Sequence, residues 1–160
     1  MRILVVSDTH RNKRALERAV LSQPKAELIL FLGDGVGEAE EVSRDLRPNQ
    51  TMLMVKGNND WCCREPLERE VWAGDTKILM MHGHSRQVTY GMGSAIQAAK
   101  NCGAKILLFG HTHIPVCDYV DGLYIMNPGS LGIPLNGFPT YGVIDILPQG
   151  ILPAIIQQQR

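Results

Sequence analysis

The sequence predicts an α/β fold in which two packed β-sheets are flanked by helices. Three observations lead there. Short aliphatic runs alternate with amphipathic helical stretches through the first half of the 160 residues, whereas the second half is rich in strands. Five of the apolar runs end in a turn that carries Asp, Asn or His. No linker, internal repeat or low-complexity tract interrupts this pattern, so residues 1–160 read as one domain. A chain of this size buries about 68–70% of its unfolded surface and needs no disulfides to fold.

Residues 2–7, Arg-Ile-Leu-Val-Val-Ser, form the continuous aliphatic run expected of a strand buried on both faces. Residues 12–23 read as a helix, because Leu16, Ala19, Val20 and Gln23 share a face and Pro24 stops it. Residues 28–32 form the second strand, closed by Gly33. A second helix over 38–46 turns Ala39, Val42 and Leu46 inward and Glu40, Glu41, Arg44 and Asp45 to solvent. Residues 52–55 make a third strand, closed by Gly57. The stretch 70–81 reads as two strands around a Gly74-Asp75 turn. A helix over 94–101 follows, with Ser94 as its cap and Gly103 at its C-terminal end. Residues 105–109, 119–126, 141–147 and 151–156 read as strands, the last two joined around Pro148-Gln149-Gly150. The apolar tail at 151–156 either completes a sheet or joins subunits, which leaves a homo-oligomer open.

Composition narrows the function. Lys and Arg number 16, as do Asp and Glu, and no basic stripe interleaves with aromatics. A nucleic-acid partner is therefore not expected, since polynucleotide binding relies on Lys and Arg neutralising phosphates. Cys62, Cys63, Cys102 and Cys117 lack metal-type or Cys-x-x-Cys spacing and read as reduced thiols. No apolar run reaches the roughly 20 residues that span a bilayer, and Met1-Arg2 leads straight into a strand without a cleavage site. The expectation is a cytoplasmic protein without a membrane partner. Trp61 and Trp72 are expected in the core, with the lining of a substrate cleft as the alternative.

All five histidines fall in three short motifs behind apolar runs: Asp8-Thr9-His10, His82-Gly83-His84 and Gly110-His111-Thr112-His113. Gly33-Asp34 and Gly57-Asn58-Asn59-Asp60 add oxygen donors behind two more. In open α/β sheets, ligands bind beyond the carboxyl ends of the strands. Asp8, Asp34, Asn58, His82 and His111 each sit at such an end, while His10 and His113 lie two residues beyond Asp8 and His111. Mixed carboxylate, carboxamide and imidazole donors suit Mn²⁺, Fe²⁺, Co²⁺, Ni²⁺ or Zn²⁺, whereas calcium and magnesium favour an all-oxygen set. Seven donors exceed one tetrahedral ion and fit two ions roughly 3.5–4 Å apart, an arrangement that clamps phosphoryl oxygens. Ser94 lacks the Gly-x-Ser-x-Gly spacing of a nucleophile elbow, and Gly33-Asp34-Gly35-Val36-Gly37 lacks the lysine of a phosphate-binding loop.

Together with Asn127-Pro128-Gly129-Ser130, these motifs resemble the calcineurin-like metallophosphoesterases, and among them the small single-domain phosphodiesterases of bacteria and archaea. The resemblance covers about the first 130 residues. It implies a four-layer αββα sandwich of two mixed sheets. It also implies two divalent ions, Mn²⁺ foremost, held by Asp8, His10, Asp34 and His113 and by Asp34, Asn58, His82 and His111, with Asp34 bridging. The implied reaction is in-line attack of a metal-bridging hydroxide on a small or accessible phosphodiester. Asn58 and His84 are the expected catalytic residues. One departure stands out: larger family members carry His directly after the ligand Asn, and here Asn59 cannot protonate a leaving group. Asp60 is expected to fix the loop through backbone hydrogen bonds. The alternatives are a phosphomonoesterase or nucleotide hydrolase, or a scaffold module like the retromer subunit that shares this fold with an altered metal site.

Overall fold

A computed structural model describes residues 1–135 and 137–159. The first sheet contains β1 (Arg2–Val6), β2 (Ala26–Phe31), β3 (Thr51–Met54), β9 (Thr140–Leu147) and β10 (Gly150–Gln157), in the order β10-β9-β1-β2-β3. The second contains β4 (Glu68–Ala73), β5 (Thr76–Met81), β6 (Ile106–Leu108), β7 (Val116–Val120) and β8 (Leu123–Asn127), in the order β4-β5-β6-β8-β7. Both are mixed: β1, β2 and β3 run parallel, as do β5, β6 and β8, while the remaining pairings are antiparallel.

Burial explains why β1 is apolar at every position. Successive side chains on a strand point to opposite faces. Leu4 and Val6 pack towards α1 (Lys13–Ser22) and α2 (Val36–Ser43), alongside Leu16, Ala19 and Ala39. Ile3 and Val5 pack between the sheets against Ile78, Met80, Ile106 and Leu108. On the far side of the second sheet, Leu79, Met81 and Leu107 meet Ala95 and Ala99 of α3 (Gly93–Asn101). The layers are therefore helix, sheet, sheet, helix, as expected. The apolar tail forms the edge strand β10, with Ile151 and Ile155 against the inter-sheet core. No helix among the described residues is long and apolar enough to cross a membrane.

Several boundaries differ from the sequence reading, each for a physical reason. The stretch 119–126 is two strands, because Asp121 and Gly122 adopt positive φ values of 51° and 83° and turn the chain into a hairpin. Asp-Gly at such a turn is a strong hairpin signal. α2 covers Val36–Ser43, starting and ending earlier than the expected 38–46. Its first N–H groups are capped from a distance by Asp60, whose carboxylate accepts from Gly35 and Val36 N–H at 2.9 Å. Ser94 lies within α3 rather than capping it, and Met92 is the cap residue with no side-chain bond. Gly103, at φ 72°, does close that helix. Trp61 and Trp72 are not core residues: they are 88% and 64% exposed. Lys77 instead lies 5.7 Å from the Trp72 ring centroid.

Candidate metal centre

The carboxyl ends of β1, β2 and β3 meet those of β5 and β6 along one edge of the sandwich, and the loops leaving them are bonded together. Asp8 N–H donates to the Gly33 carbonyl at 3.0 Å, and His10 N–H to that of Asp34 at 3.1 Å. Gly110 N–H donates to the His82 carbonyl at 3.0 Å. Across the sheets, His82 Nδ1–H donates to the Leu32 carbonyl at 2.8 Å. Gly57 must be glycine here, because a Cβ would collide with the Asp34 carboxylate.

Five of the candidate ligands hold positive φ: Asp8 55°, His10 44°, Asp34 57°, His111 67° and His113 57°. A non-glycine residue in this left-handed region costs roughly 1–2 kcal/mol and persists only where its surroundings over-determine it. Those surroundings are visible. The Asp8 carbonyl accepts from Ser130 Oγ at 2.8 Å and Gly132 N–H at 2.9 Å. Its carboxylate accepts from Ser7 Oγ at 2.5 Å and His111 N–H at 3.1 Å. Asn127 Nδ2 donates to the Gly110 carbonyl at 2.8 Å, fixing the approach to His111. Ser130 is thus a buried support for Asp8.

The result brings all seven candidate ligands to one place. His10 Nε2 lies 3.0 Å from His113 Nε2. His113 Nε2 is 3.2 Å from Asp8 Oδ1, and His10 Nε2 is 3.6 Å from it. On the other side, His82 Nε2 lies 3.1 Å from Asn58 Oδ1, 3.2 Å from His111 Nδ1 and 3.6 Å from Asp34 Oδ2. Asp34 Oδ2 is also 3.9 Å from His10 Nε2, between the two sets. Two three-residue groups have all their donor atoms within 4.8 Å: Asp8 with His10 and His113, and Asp8 with Asp34 and His82. The second group adds Asp8 to the His82 side, a proximity the sequence did not suggest.

The donors fit a divalent transition ion. Atoms bound to one such ion at 2.0–2.2 Å lie about 3.0–3.4 Å apart, which matches the shorter separations in the cluster. His82 and His113 each spend Nδ1–H on a backbone carbonyl, Leu32 at 2.8 Å and Ile133 at 2.7 Å. That tautomer turns their Nε2 lone pairs inward, as metal-binding imidazoles require. His82 Nε2 and Asn58 Oδ1 are then two acceptors facing each other. Asp8 Oδ1 is buried without a hydrogen-bond partner, an arrangement that costs free energy unless a cation shares the space.

Charge follows the same geometry. Burial works against an ionised Asp8, yet the imidazoles of His10, His113 and His82 and the Ser7 hydroxyl outweigh it and hold the carboxyl far below its ordinary range. The Asp8 carboxylate raises the His113 pKa against the effect of burial. Burial, then His82, lowers that of His111. The same two causes, in the same order, lower that of His84. The His84 ring stands 5.4 Å from that of His82 and 6.1 Å from that of His111, and its Nδ1 is buried without a partner.

Two supports escaped the sequence reading in whole or part. Asn59 donates to both oxygens of Asp34, from its backbone N–H at 2.8 Å and from Nδ2 at 2.6 Å. Its place beside Asn58 marked the loop, but nothing in sequence told which way its amide points. Asp60 does fix the loop, and further than expected. Besides the two α2 donors, its carboxylate accepts from Asp34 N–H at 2.7 Å and Gly57 N–H at 2.8 Å. Replacing Asp60 by alanine strands four donors, so Asp60→Ala is expected to cost about 3 kcal/mol of stability. A urea midpoint unchanged from the parent protein would contradict that role.

Fold and donor cluster together place the chain in the metallophosphoesterase class, and comparison agrees. Residues 1–148 match the calcineurin-like phosphoesterase superfamily domain, and the chain belongs to that superfamily. A probable metallophosphoesterase of Bacillus subtilis, YsnB, is 31% identical over 134 residues, covering 84% of this chain and 77% of that protein. The phosphodiesterase YfcE of Escherichia coli is 26% identical over 168 residues, covering 91% and 88%. Among solved structures, wild-type Vps29 of Entamoeba histolytica complexed with zinc superposes with a TM-score of 0.71 at 21% identity, covering 98% of this chain and 99% of that one. At that identity the likeness is one of fold.

Proposed function

We propose that the protein is a cytoplasmic phosphodiesterase that holds two divalent ions, Mn²⁺ foremost with Fe²⁺, Co²⁺, Ni²⁺ or Zn²⁺ as alternatives, and hydrolyses a small or accessible phosphodiester. The observation that carries this reading is the inward-facing donor cluster around the unpartnered Asp8 Oδ1. In it Asp8, His10, Asp34 and His113 would hold one ion and Asp34, Asn58, His82 and His111 the other. When bound, such ions neutralise charge on the phosphoryl oxygens and make water acidic enough to attack near neutral pH.

The chain's own residues do the positioning. The Leu32 and Ile133 carbonyls fix the His82 and His113 tautomers. Asn59 clamps the Asp34 carboxylate and, being an amide, moves no proton. Burial, then His82, lowers the His84 pKa and disfavours its charged form, so its role in this reading is to offer an N–H to the phosphate rather than a ready proton to the leaving group. Good leaving groups such as aryl oxides are therefore favoured. A screen of aryl and alkyl phosphodiesters, phosphomonoesters and nucleotides, run with Mn²⁺, tests this. The highest kcat/KM is expected for an aryl phosphodiester, and fastest turnover of monoesters would overturn it.

The pH dependence follows from His113. A protonated imidazole cannot bind a metal, and the Asp8 carboxylate lets His113 keep its proton above the usual value of about 6.5. Apparent Mn²⁺ affinity is expected to start falling above pH 6.5 as the solution is acidified, and to fall steeply below it. Affinity that stays flat from pH 8 to 6, measured by calorimetry, would contradict His113 as a ligand.

The competing reading is a scaffold module, supported by the fold shared with Vps29. The complete donor set in this chain favours the enzyme. Co-purification with a large partner, without metal or turnover, would favour the scaffold.

A further inference from the structure

Beside the donor cluster lies a cleft of about 310 Å³ whose walls include His10, Arg11, Asp34, Asn59 and Trp61. Its acidic groups are already engaged. Asp60 accepts its four backbone N–H bonds, and Glu38 Oε1 accepts from Arg11 N–H at 2.5 Å and Thr9 Oγ1 at 3.1 Å. Two groups remain unengaged. The Arg11 guanidinium is on an exposed residue and has no carboxylate within 4.0 Å among the described residues. The Trp61 indole is 88% exposed.

An indole left this open forgoes a large burial gain. Trp61 is also not on a loose tether, because the preceding residue, Asp60, bonds to the backbone at residues 34, 35, 36 and 57. The chain thus holds an exposed indole and a cation without a carboxylate partner in the walls of the same cleft as His10 and Asp34, at the small end of the range for ligand pockets. We propose that Trp61 and Arg11 form the subsite for the ester arm that is not expelled, and that this arm is a nucleoside: the base stacks on Trp61 while Arg11 meets the phosphate. Base–aromatic stacking is sequence-tolerant and strong. Arg offers planar donors that match phosphate oxygens. The volume is of the order of one nucleoside, and the balanced charge of the chain gives no basic track for a polynucleotide.

The proposal rests on the phosphodiesterase reading but is separable from it. Three p-nitrophenyl phosphodiesters with a common leaving group would be compared, their second ester being methyl, phenyl or a nucleoside 5′ carbon. The nucleoside ester is expected to have the highest kcat/KM. Trp61→Ala should reduce its preference over the methyl ester about tenfold, with Trp61→Phe retaining most of it. Preference for phenyl over nucleoside would assign the subsite to simple aryl groups and overturn the nucleoside assignment. An equal loss on all three esters in Trp61→Ala would overturn the subsite while leaving the enzyme reading intact. A binding readout needs no turnover. In a Trp72→Phe background, a nucleoside monophosphate should quench the fluorescence of Trp61 in Mn²⁺-loaded protein, and inorganic phosphate should not. Quenching without hydrolysis of any ester would sink the enzyme reading alone, and absent quenching would sink the subsite.

Discussion

His82→Ala is expected to lower turnover of an aryl phosphodiester by roughly 10²–10³-fold or more, the loss seen when one group stabilising transition-state charge is removed. His82 is fully buried at the end of β5, and its Nε2 faces Asn58 Oδ1, His111 Nδ1 and Asp34 Oδ2. Alanine removes the donor shared by that half of the cluster. It also leaves the Leu32 carbonyl without its 2.8 Å partner, at a stability cost of about 1–3 kcal/mol. Asn58→Ala separates the two effects. Asn58 is exposed, so its loss should change stability by no more than about 0.5 kcal/mol, while turnover falls in the same range as for His82→Ala. Kinetics paired with urea denaturation of both variants checks this. An Asn58→Ala enzyme with parental turnover would remove Asn58 from the ligand set.

Metal removal is expected to have the other large effect. Chelation should abolish phosphodiester turnover, and Mn²⁺ should restore it. The same addition should raise the melting temperature, because four imidazoles and two carboxylates that face one another gain cations to share. At a free metal concentration 100 times Kd the stabilisation per site is about 2.7 kcal/mol. Scanning calorimetry of chelated and reloaded protein measures it, and an identical melting temperature in both would mean that the cluster does not bind the ion.

Much of this site was legible because strand ends are legible. A buried parallel strand is an unbroken aliphatic run, so the turn residues shortly after β1, β2, β3, β5 and β6 could be placed at a sheet edge from sequence alone. The alternate spacing of His111 and His113 did the rest, since a turn after β6 can aim both inward. What stayed hidden was set by contacts distant in sequence. The start of α2 depends on Asp60, some 25 residues away, and the orientation of Asp34 depends on the Asn59 amide. Trp61 departs from the expected burial because hydrophobicity predicts burial only on average, and exposure beside a cleft has no local signature. The Asp121-Gly122 hairpin, by contrast, has a local signal, since Asp-Gly between two apolar runs favours a tight turn.

The most direct test titrates Mn²⁺ into metal-free protein while following hydrolysis of an aryl phosphodiester. Two sites sharing Asp34 predict activity that climbs to two ions per chain and then levels. Activity complete at one ion per chain, or none at any ratio, would contradict the dimetal phosphodiesterase.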